Sequence, residues 1–245
     1  MARAAALLAA AAVVLAGCGD GGGGRSVTVL AAASLTEAFG DIAADFTAAT
    51  GTDVDLSFGA SSTLVDQVQE GLGADVVALA SPSTMQELVD SGDVGEPAVF
   101  ARNRLAIAVP PGNPAGVRSL ADLADPGLTL ALCSPGVPCG SFAAEAFAAQ
   151  GLDVAADTEE EDVKAVLDKV ATGEVDAGVV YASDVVAAGD DVEGIAVADD
   201  ENVLADYPIA LVDGAGPDAE AFVAFVLGDR ARATLAEHGF LAAVP

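Results

Sequence analysis

The sequence predicts an α/β fold with a mostly parallel sheet and helices on both faces. Three observations lead there. Short apolar runs of strand character alternate with amphipathic runs of helical spacing along the chain. Two of these units share one plan: Val27-Thr28-Val29-Leu30-Ala31-Ala32-Ala33-Ser34-Leu35-Thr36-Glu37 and Val54-Asp55-Leu56-Ser57-Phe58-Gly59-Ala60-Ser61-Ser62-Thr63-Leu64 each pass from an apolar run through serine into a helical pattern. Finally, 245 residues at 53% hydrophobic content are enough for one large domain or a pair of lobes. Tryptophan is absent and Ala and Gly dominate, so helix faces pack closely through small side chains.

The two matching units each bring a hydroxyl and free backbone N–H groups to a helix start. That end of a helix carries unsatisfied donors and the positive end of the dipole, which suits an anion. In the first unit, Leu35, Ala38, Phe39, Ile42 and Phe46 keep helical spacing, Ser34 and Glu37 have the form of a capping box, and Gly51 follows the end. In the second, Leu64, Val65, Val68 and Leu72 mark a helix closed near Gly71 or Gly73. A buried strand is expected at 75–79, and Ser81-Pro82 opens a helix through Val89, with proline in the first turn.

Arg104 to Val109 reads as a strand that ends at Pro110-Pro111-Gly112-Asn113-Pro114. A short helix at 119–123 and a strand at 128–132 follow. Gly140-Ser141 opens a helix through Phe142, Ala146 and Phe147 to Gly151, and Val163, Val166, Leu167 and Val170 mark another, closed by Gly173. Val175 to Tyr181 is a strand, Ser183-Asp184 caps the next helix, and Tyr207 to Val212 is a late strand. Terminal helices run from Pro217 to Leu227 and from Arg230 to His238. No internal repeat extends beyond the two serine turns.

Residues 1–25 stand outside this fold. Arg3 forms a short basic region, Ala4 to Ala16 an apolar one, Leu15-Ala16-Gly17-Cys18 a lipoprotein cleavage box, and Gly19 to Gly24 a flexible tether. The apolar stretch is short for a bilayer span. An ordinary signal peptide with an incidental cysteine is the alternative; the place of Cys18 after Leu-Ala-Gly and before the glycines favours a lipoprotein. The mature chain then begins at Cys18, extracytoplasmic and lipid-anchored to the outer face of the cell membrane. In that oxidising context Cys133 and Cys139, flanking the turn-rich Ser134-Pro135-Gly136-Val137-Pro138, are expected to form a disulfide, with two free thiols as the alternative. A metal site needs more ligands than this neighbourhood offers, and the sole histidine is His238.

Nine Lys and Arg against 38 Asp and Glu give a net charge of −29, which excludes nucleic acid and anionic membrane surfaces as partners. It does not exclude a small anion in a dehydrated pocket of local dipoles, because salt screens distant carboxylates. The acidity reads as a solvated face suited to salty surroundings.

With these residues in place, the chain resembles the molybdate-binding proteins of bacterial molybdate ABC transporters, from about residue 26 to 240. Ala31-Ala32-Ala33-Ser34-Leu35-Thr36 is similar to that family's first ligand loop and Ser57 to Leu64 to its second. Val137-Pro138-Cys139-Gly140 is similar to its Val-Pro-Ala-Gly loop, with cysteine where alanine is usual. Glu161-Asp162-Val163-Lys164 and Gly178-Val179-Val180-Tyr181-Ala182-Ser183-Asp184 resemble the last two. Singly these motifs are weak; in this order they are specific.

The resemblance implies a type II periplasmic-binding-protein fold, two α/β lobes joined by two crossovers with ligand in the cleft. Lobe one would be 26–103 plus 207–245 and lobe two 104–206. It implies capture of molybdate or tungstate for an ABC importer, with the permease as partner, no cofactor and a monomeric chain. Ser34 and Ser61 would donate through hydroxyl and backbone N–H, Cys139 and Val163 through backbone N–H, and Tyr181 through its phenol. None would bind the metal directly. A Cys133–Cys139 bridge would stiffen the third loop and preorganise its N–H.

Each of these residues also has a plainer role. Ser34 and Ser61 could be helix N-caps, Val163 the first core residue of its helix, and Tyr181 a core tyrosine with a satisfied hydroxyl. Arg102 and Arg104 read as surface or interlobe ion pairs. A fully ionised tetrahedral anion has no proton to give, so a matching pocket offers donors only. A buried carboxylate would repel it. Hydrogen bonds to a charged acceptor are roughly twice as strong as neutral ones. Selectivity against sulfate would then come from cavity size, while phosphate, partly protonated, would favour an acceptor. Two other classes compete. Cys139 at a helix start could be a low-pKa nucleophile of a thiol enzyme, although no histidine is near in sequence and Cys133 is at hand to oxidise it. A surface lipoprotein that binds protein or sugar is the other, weakened for sugar by the scarcity of aromatics.

Overall fold

In the computed structural model, residues 25–243 are described, so the leader, Cys18 and the glycine tether lie outside the described residues. The chain opens with β1 (Ser26–Ala32), a one-turn 3₁₀ helix at Ala33–Leu35, α1 (Thr36–Thr50), β2 (Asp53–Gly59), α2 (Ser61–Gln69), β3 (Val76–Ala78), α3 (Pro82–Ser91) and β4 (Ala98–Val109). It continues through a 3₁₀ helix at Leu120–Ala124, β5 (Leu130–Cys133), α4 (Pro138–Gln150), β6 (Thr158–Glu160), α5 (Val163–Ala171), β7 (Ala177–Tyr181), α6 (Ala182–Ala188) and β8 (Glu193–Ala196). It closes with β9 (Leu204–Leu211), α7 (Pro217–Val226), α8 (Asp229–Glu237) and β10 (Leu241–Ala242).

The strands form one sheet in the order β2-β1-β3-β9-β4-β7-β5-β6, with β8 and β10 also paired to β4. The expectation of a mostly parallel sheet needs correction. Parallel pairing holds within two groups, β2-β1-β3 and β7-β5-β6. The strands that join them, β9 and β4, pair antiparallel with each other and with their neighbours. Strand β4 is 12 residues long. Its first part, Ala98 to Arg104, pairs with β9, and Leu105 to Ala108 pairs with β7. The sequence reading began this strand at Arg104, because Arg102, Asn103 and Arg104 interrupt the apolar run. The three short strands β6, β8 and β10 carry too few apolar residues to signal themselves and were not expected.

Burial follows position in the sheet. β1 is buried along most of its length, as suits a strand covered on both faces, whereas β2 at the edge turns Asp53, Asp55 and Ser57 outward, charges that discourage further pairing. The apolar stripe of α1 (Ala38, Phe39, Ile42, Phe46) meets the returning C-terminal helix α7, with Phe46 edge-on to Phe222 at 5.2 Å between ring centroids and to Phe225 at 5.5 Å. Gly51, at φ 73°, ends α1 in the left-handed conformation that glycine adopts at no steric cost.

Register is what positions the site. In-register parallel pairing puts Ala32 level with Gly59, Ala31 level with Ala78, and Cys133 level with Glu160. The loops leaving the C-terminal ends of β1, β2 and β3 therefore emerge side by side, and so do those leaving β5 and β6, the edge at which open α/β sheets present their clefts.

Phe46→Ala is expected to lower the unfolding free energy by about 3–5 kcal/mol, since it empties a fully packed aromatic contact. Urea unfolding checks this; a loss below about 1 kcal/mol would mean that α7 does not anchor α1 as described.

Candidate functional site

A small cavity opens where these loops meet. Its wall is made of Ala32, Ala33 and Ser34 from the first turn, Gly59, Ala60 and Ser61 from the second, and Ala80 after β3. Facing them are Val137, Pro138 and Cys139, then Asp162 and Val163, and Tyr181. All five residues expected to contact ligand, Ser34, Ser61, Cys139, Val163 and Tyr181, thus line one space. Among the lining residues none is Lys, Arg or His.

Four helical segments begin at this wall. Ser34 sits in the 3₁₀ turn that leads into α1, Ser61 is the first residue of α2, Cys139 the second of α4, and Val163 the first of α5. Residues at those positions have no carbonyl one turn back to accept their N–H. Both serines have been released from the capping role that the sequence suggested: neither start of α1 nor of α2 has a side-chain cap, and the Ser34–Glu37 capping box is not formed. The Ser34 hydroxyl instead lies 2.8 Å from the Tyr207 hydroxyl, and Ser61 Oγ accepts the Ala80 N–H at 3.1 Å. Asp162 faces the cavity, but its Oδ1 accepts the Ala165 N–H as the cap of α5. A carboxylate in the wall was not expected; this one is committed to a helix end.

Helix α4 starts at Pro138, two residues before the sequence reading placed it, with proline pre-set for the first helical position. Cys139 in this first turn is bonded to Cys133 at the end of β5. Gly140 makes that junction possible: a Cβ there would stand 2.1 Å from the Ser134 carbonyl oxygen and 2.6 Å from that of Cys133.

The chain's two tyrosines meet behind the cavity, Tyr181 and Tyr207, both buried, ring centroids 6.0 Å apart and inclined at 74°. Burial pushes the Tyr181 hydroxyl well above the ordinary phenol range, with the neighbouring Tyr207 and Asp184 adding to it. Burial likewise raises Tyr207. Both therefore remain O–H donors at neutral pH. The Tyr207 hydroxyl is near enough to weigh on Tyr181, yet no hydrogen bond of good geometry joins them, and the Tyr181 hydroxyl has no partner among the described residues. The plainer reading of Tyr181 as a satisfied core tyrosine does not hold.

One layer further out, Asp184 accepts the Tyr181 N–H at 3.0 Å. It does so from the third position of α6, with Tyr181 rather than Ser183 at the cap position that the sequence suggested. Burial pushes the Asp184 carboxyl up to about 6, while Lys164, 3.5 Å away, pulls it down. Lys164 Nζ also binds both oxygens of Glu37 in α1, at 2.8 and 2.9 Å, and so ties α5 to α1 beside the cavity. Arg102 and Arg104 take no part; they pair with Asp206 and Asp199. His238 contacts Asp41.

Sequence reasoning missed Tyr207, Asn103, Lys164, Glu37 and Asp184 as neighbours of the site. Asn103 carried the one usable signal, a polar residue in a strand, and it is buried, donating its amide to Ser183 Oγ at 2.8 Å.

Residues 27–241 match a family described as bacterial extracellular solute-binding protein. The molybdate-binding protein ModA of Mycobacterium tuberculosis is 39% identical over 220 residues, covering 88% of this chain and 84% of that one. Among solved structures, the sulfate-binding protein SubI from M. tuberculosis superposes with a TM-score of 0.82 at 21% identity, covering 90% of this chain and 88% of that one. The periplasmic molybdate-binding protein of Azotobacter vinelandii superposes with 0.77 at 20%, covering 89% and 99%. At such identities these structures speak to fold alone, and the fold is the type II periplasmic-binding-protein class that the sequence implied.

A testable consequence concerns pH. Because the folded Asp184 carboxyl titrates near 6 and the unfolded one near 3.8, the native state holds this proton more tightly. The stability it contributes is full below about pH 4 and is lost as pH rises through about 6. Asp184→Asn, which keeps an acceptor for the Tyr181 N–H, should gain stability relative to wild type between pH 4 and 7, on the order of 2 kcal/mol. Denaturant unfolding at both pH values checks it; a pH-independent difference would contradict the burial argument.

Proposed function

The chain belongs to the family of bacterial extracellular solute-binding proteins, and we propose that it captures molybdate or tungstate outside the cytoplasm and delivers it to the permease of an ABC importer. One observation carries this reading: helix starts and a phenol surround a small cavity with hydroxyl and amide donors and no cationic side chain. A tetrahedral dianion is an acceptor on every face. Such a wall holds it through hydrogen bonds to a charged partner, each worth about 1.5–3 kcal/mol, supported by the positive ends of the helices. The contacts are Ser34 and Ser61 through hydroxyl and N–H, Cys139 and Val163 through N–H, and Tyr181 through its otherwise unpartnered hydroxyl.

The two parallel strand groups then correspond to lobes at 26–103 plus 207–245 and at 104–206, with β4 and β9 as the crossovers. Ser34 and Ser61 belong to the first lobe, Cys139, Val163 and Tyr181 to the second, so a bound anion bridges them and favours the closed form over the open one. The Lys164–Glu37 pair spans the same divide. This is a binding protein rather than an enzyme: the only nucleophile suggested by the sequence, Cys139, is committed to Cys133. A monomer tethered through lipid on Cys18 would present the closed lobes to a permease.

Calorimetry should show one molybdate or tungstate bound per chain, with sulfate far weaker; sulfate binding as tight as molybdate would overturn the choice of ligand. Ser34→Ala and Ser61→Ala should each weaken molybdate binding by about tenfold to a hundredfold. Ser61→Ala also leaves the Ala80 N–H without its acceptor, so affinities are compared only in variants with intact thermal unfolding. Unchanged affinity in both would remove the serines from the site.

Mass spectrometry of the exported protein tests the anchor: acylation at an N-terminal Cys18 is expected, and cleavage elsewhere would rule it out.

A further inference from the structure

A hydroxyl is both donor and acceptor, so Ser34 and Ser61 make a donor-only wall only if something else occupies their acceptor side. For Ser61 that group is the Ala80 amide, which can only donate, at 3.1 Å. The one serine proton is left for the cavity. For Ser34 the group is the Tyr207 hydroxyl at 2.8 Å, where either oxygen could be the donor. A phenol is the stronger proton donor of the two, so the Tyr207 O–H donates and Ser34 Oγ accepts. The Tyr207 proton is thereby turned toward Ser34.

We propose that Tyr207 is a positioning residue for the oxyanion site: it holds Ser34 Oγ as an acceptor, so that the serine proton points into the cavity and the wall discriminates against anions that carry a proton. The inference rests on the oxyanion reading above. It predicts a distinction that cavity size cannot supply. Sulfate and hydrogen phosphate have nearly the same size and, near pH 8, the same charge; only hydrogen phosphate has a proton that needs an acceptor.

The test measures molybdate affinity by calorimetry on the exported protein, on Tyr207→Phe, on Ser34→Ala and on the double variant. Tyr207→Phe keeps the ring against Tyr181, Phe100 and Phe240 and removes one oxygen. It should weaken molybdate binding about tenfold in the wild-type background and less than about twofold in the Ser34→Ala background, because its effect runs through Ser34. Additive losses overturn the assignment. On the unmodified protein near pH 8, sulfate should displace molybdate at a concentration about tenfold lower than phosphate does, and the gap should narrow in Tyr207→Phe. Equal displacement by the two anions in the wild type overturns the proposal without recourse to any variant. A packing role for Tyr207 would weaken sulfate and phosphate in proportion and leave their ratio unchanged. Absence of molybdate binding in the wild type removes the functional reading and this inference with it, whereas tight wild-type binding with additive losses removes only the role of Tyr207.

Discussion

The rest of the site depends on one constraint: backbone N–H groups at a helix start have no carbonyl to accept them. A fold normally leaves such ends in solvent or caps them with a side chain. Here the register of the parallel strands brings the starts of α2, α4 and α5 and the turn before α1 to one small space. Asp162 caps α5 through the Ala165 N–H, and Val163, the first residue of that helix, lines the cavity. Orphan donors of this kind cost free energy when buried without a partner, so their convergence calls for an acceptor. The Tyr181 hydroxyl, buried and without a partner among the described residues, adds to the same demand.

This arrangement explains how a chain of net charge −29 can suit an anion. Most of the carboxylates are exposed and screened within about a Debye length. The potential in the cavity is set by groups within a few ångströms, which are amides, hydroxyls, helix dipoles and the Asp162 carboxylate that caps α5. The nearest buried charge is Asp184. Its neighbour Lys164 offsets it and reaches Glu37 in the same gesture, so these two carboxylates are held in one ion-paired cluster behind the wall, while Asp162 in the wall is committed to the start of α5. The choice of dipoles over cations also has a geometric merit. Amides on rigid helix ends are already oriented and lose little entropy when they bind, unlike long Lys or Arg side chains.

Rigidity is supplied behind the wall. The Cys133–Cys139 bridge and the close seat of Gly140 on the Cys133 and Ser134 carbonyls fix the start of α4 to the end of β5. On the other side Tyr207 stands on β9, packed edge-on against Phe100, Phe240 and Tyr181. β9 and β4 are also the strands through which the two parallel groups connect. Tyr207, the partner of the Ser34 hydroxyl, therefore sits on one of the strands that join those groups.

What the sequence determined by itself was the local grammar. The strand–serine–helix units around Ser34 and Ser61, the proline that opens α3, the amphipathic face of α5 and the cysteine pair were all legible, because each is written in neighbouring residues with a fixed spacing. The five expected wall residues were legible only through the order of motifs, since Val163 and Tyr181 alone look like core. Tertiary structure decided the rest. The antiparallel middle of the sheet depends on pairing between β4 and β9, about a hundred residues apart, and the polar Arg102-Asn103-Arg104 run hid half of β4. The serines left their capping role because Tyr207 and the Ala80 amide, distant in sequence, offered them other partners. Which atom faces which across such distances is set by strand register, and register is a property of the assembled sheet.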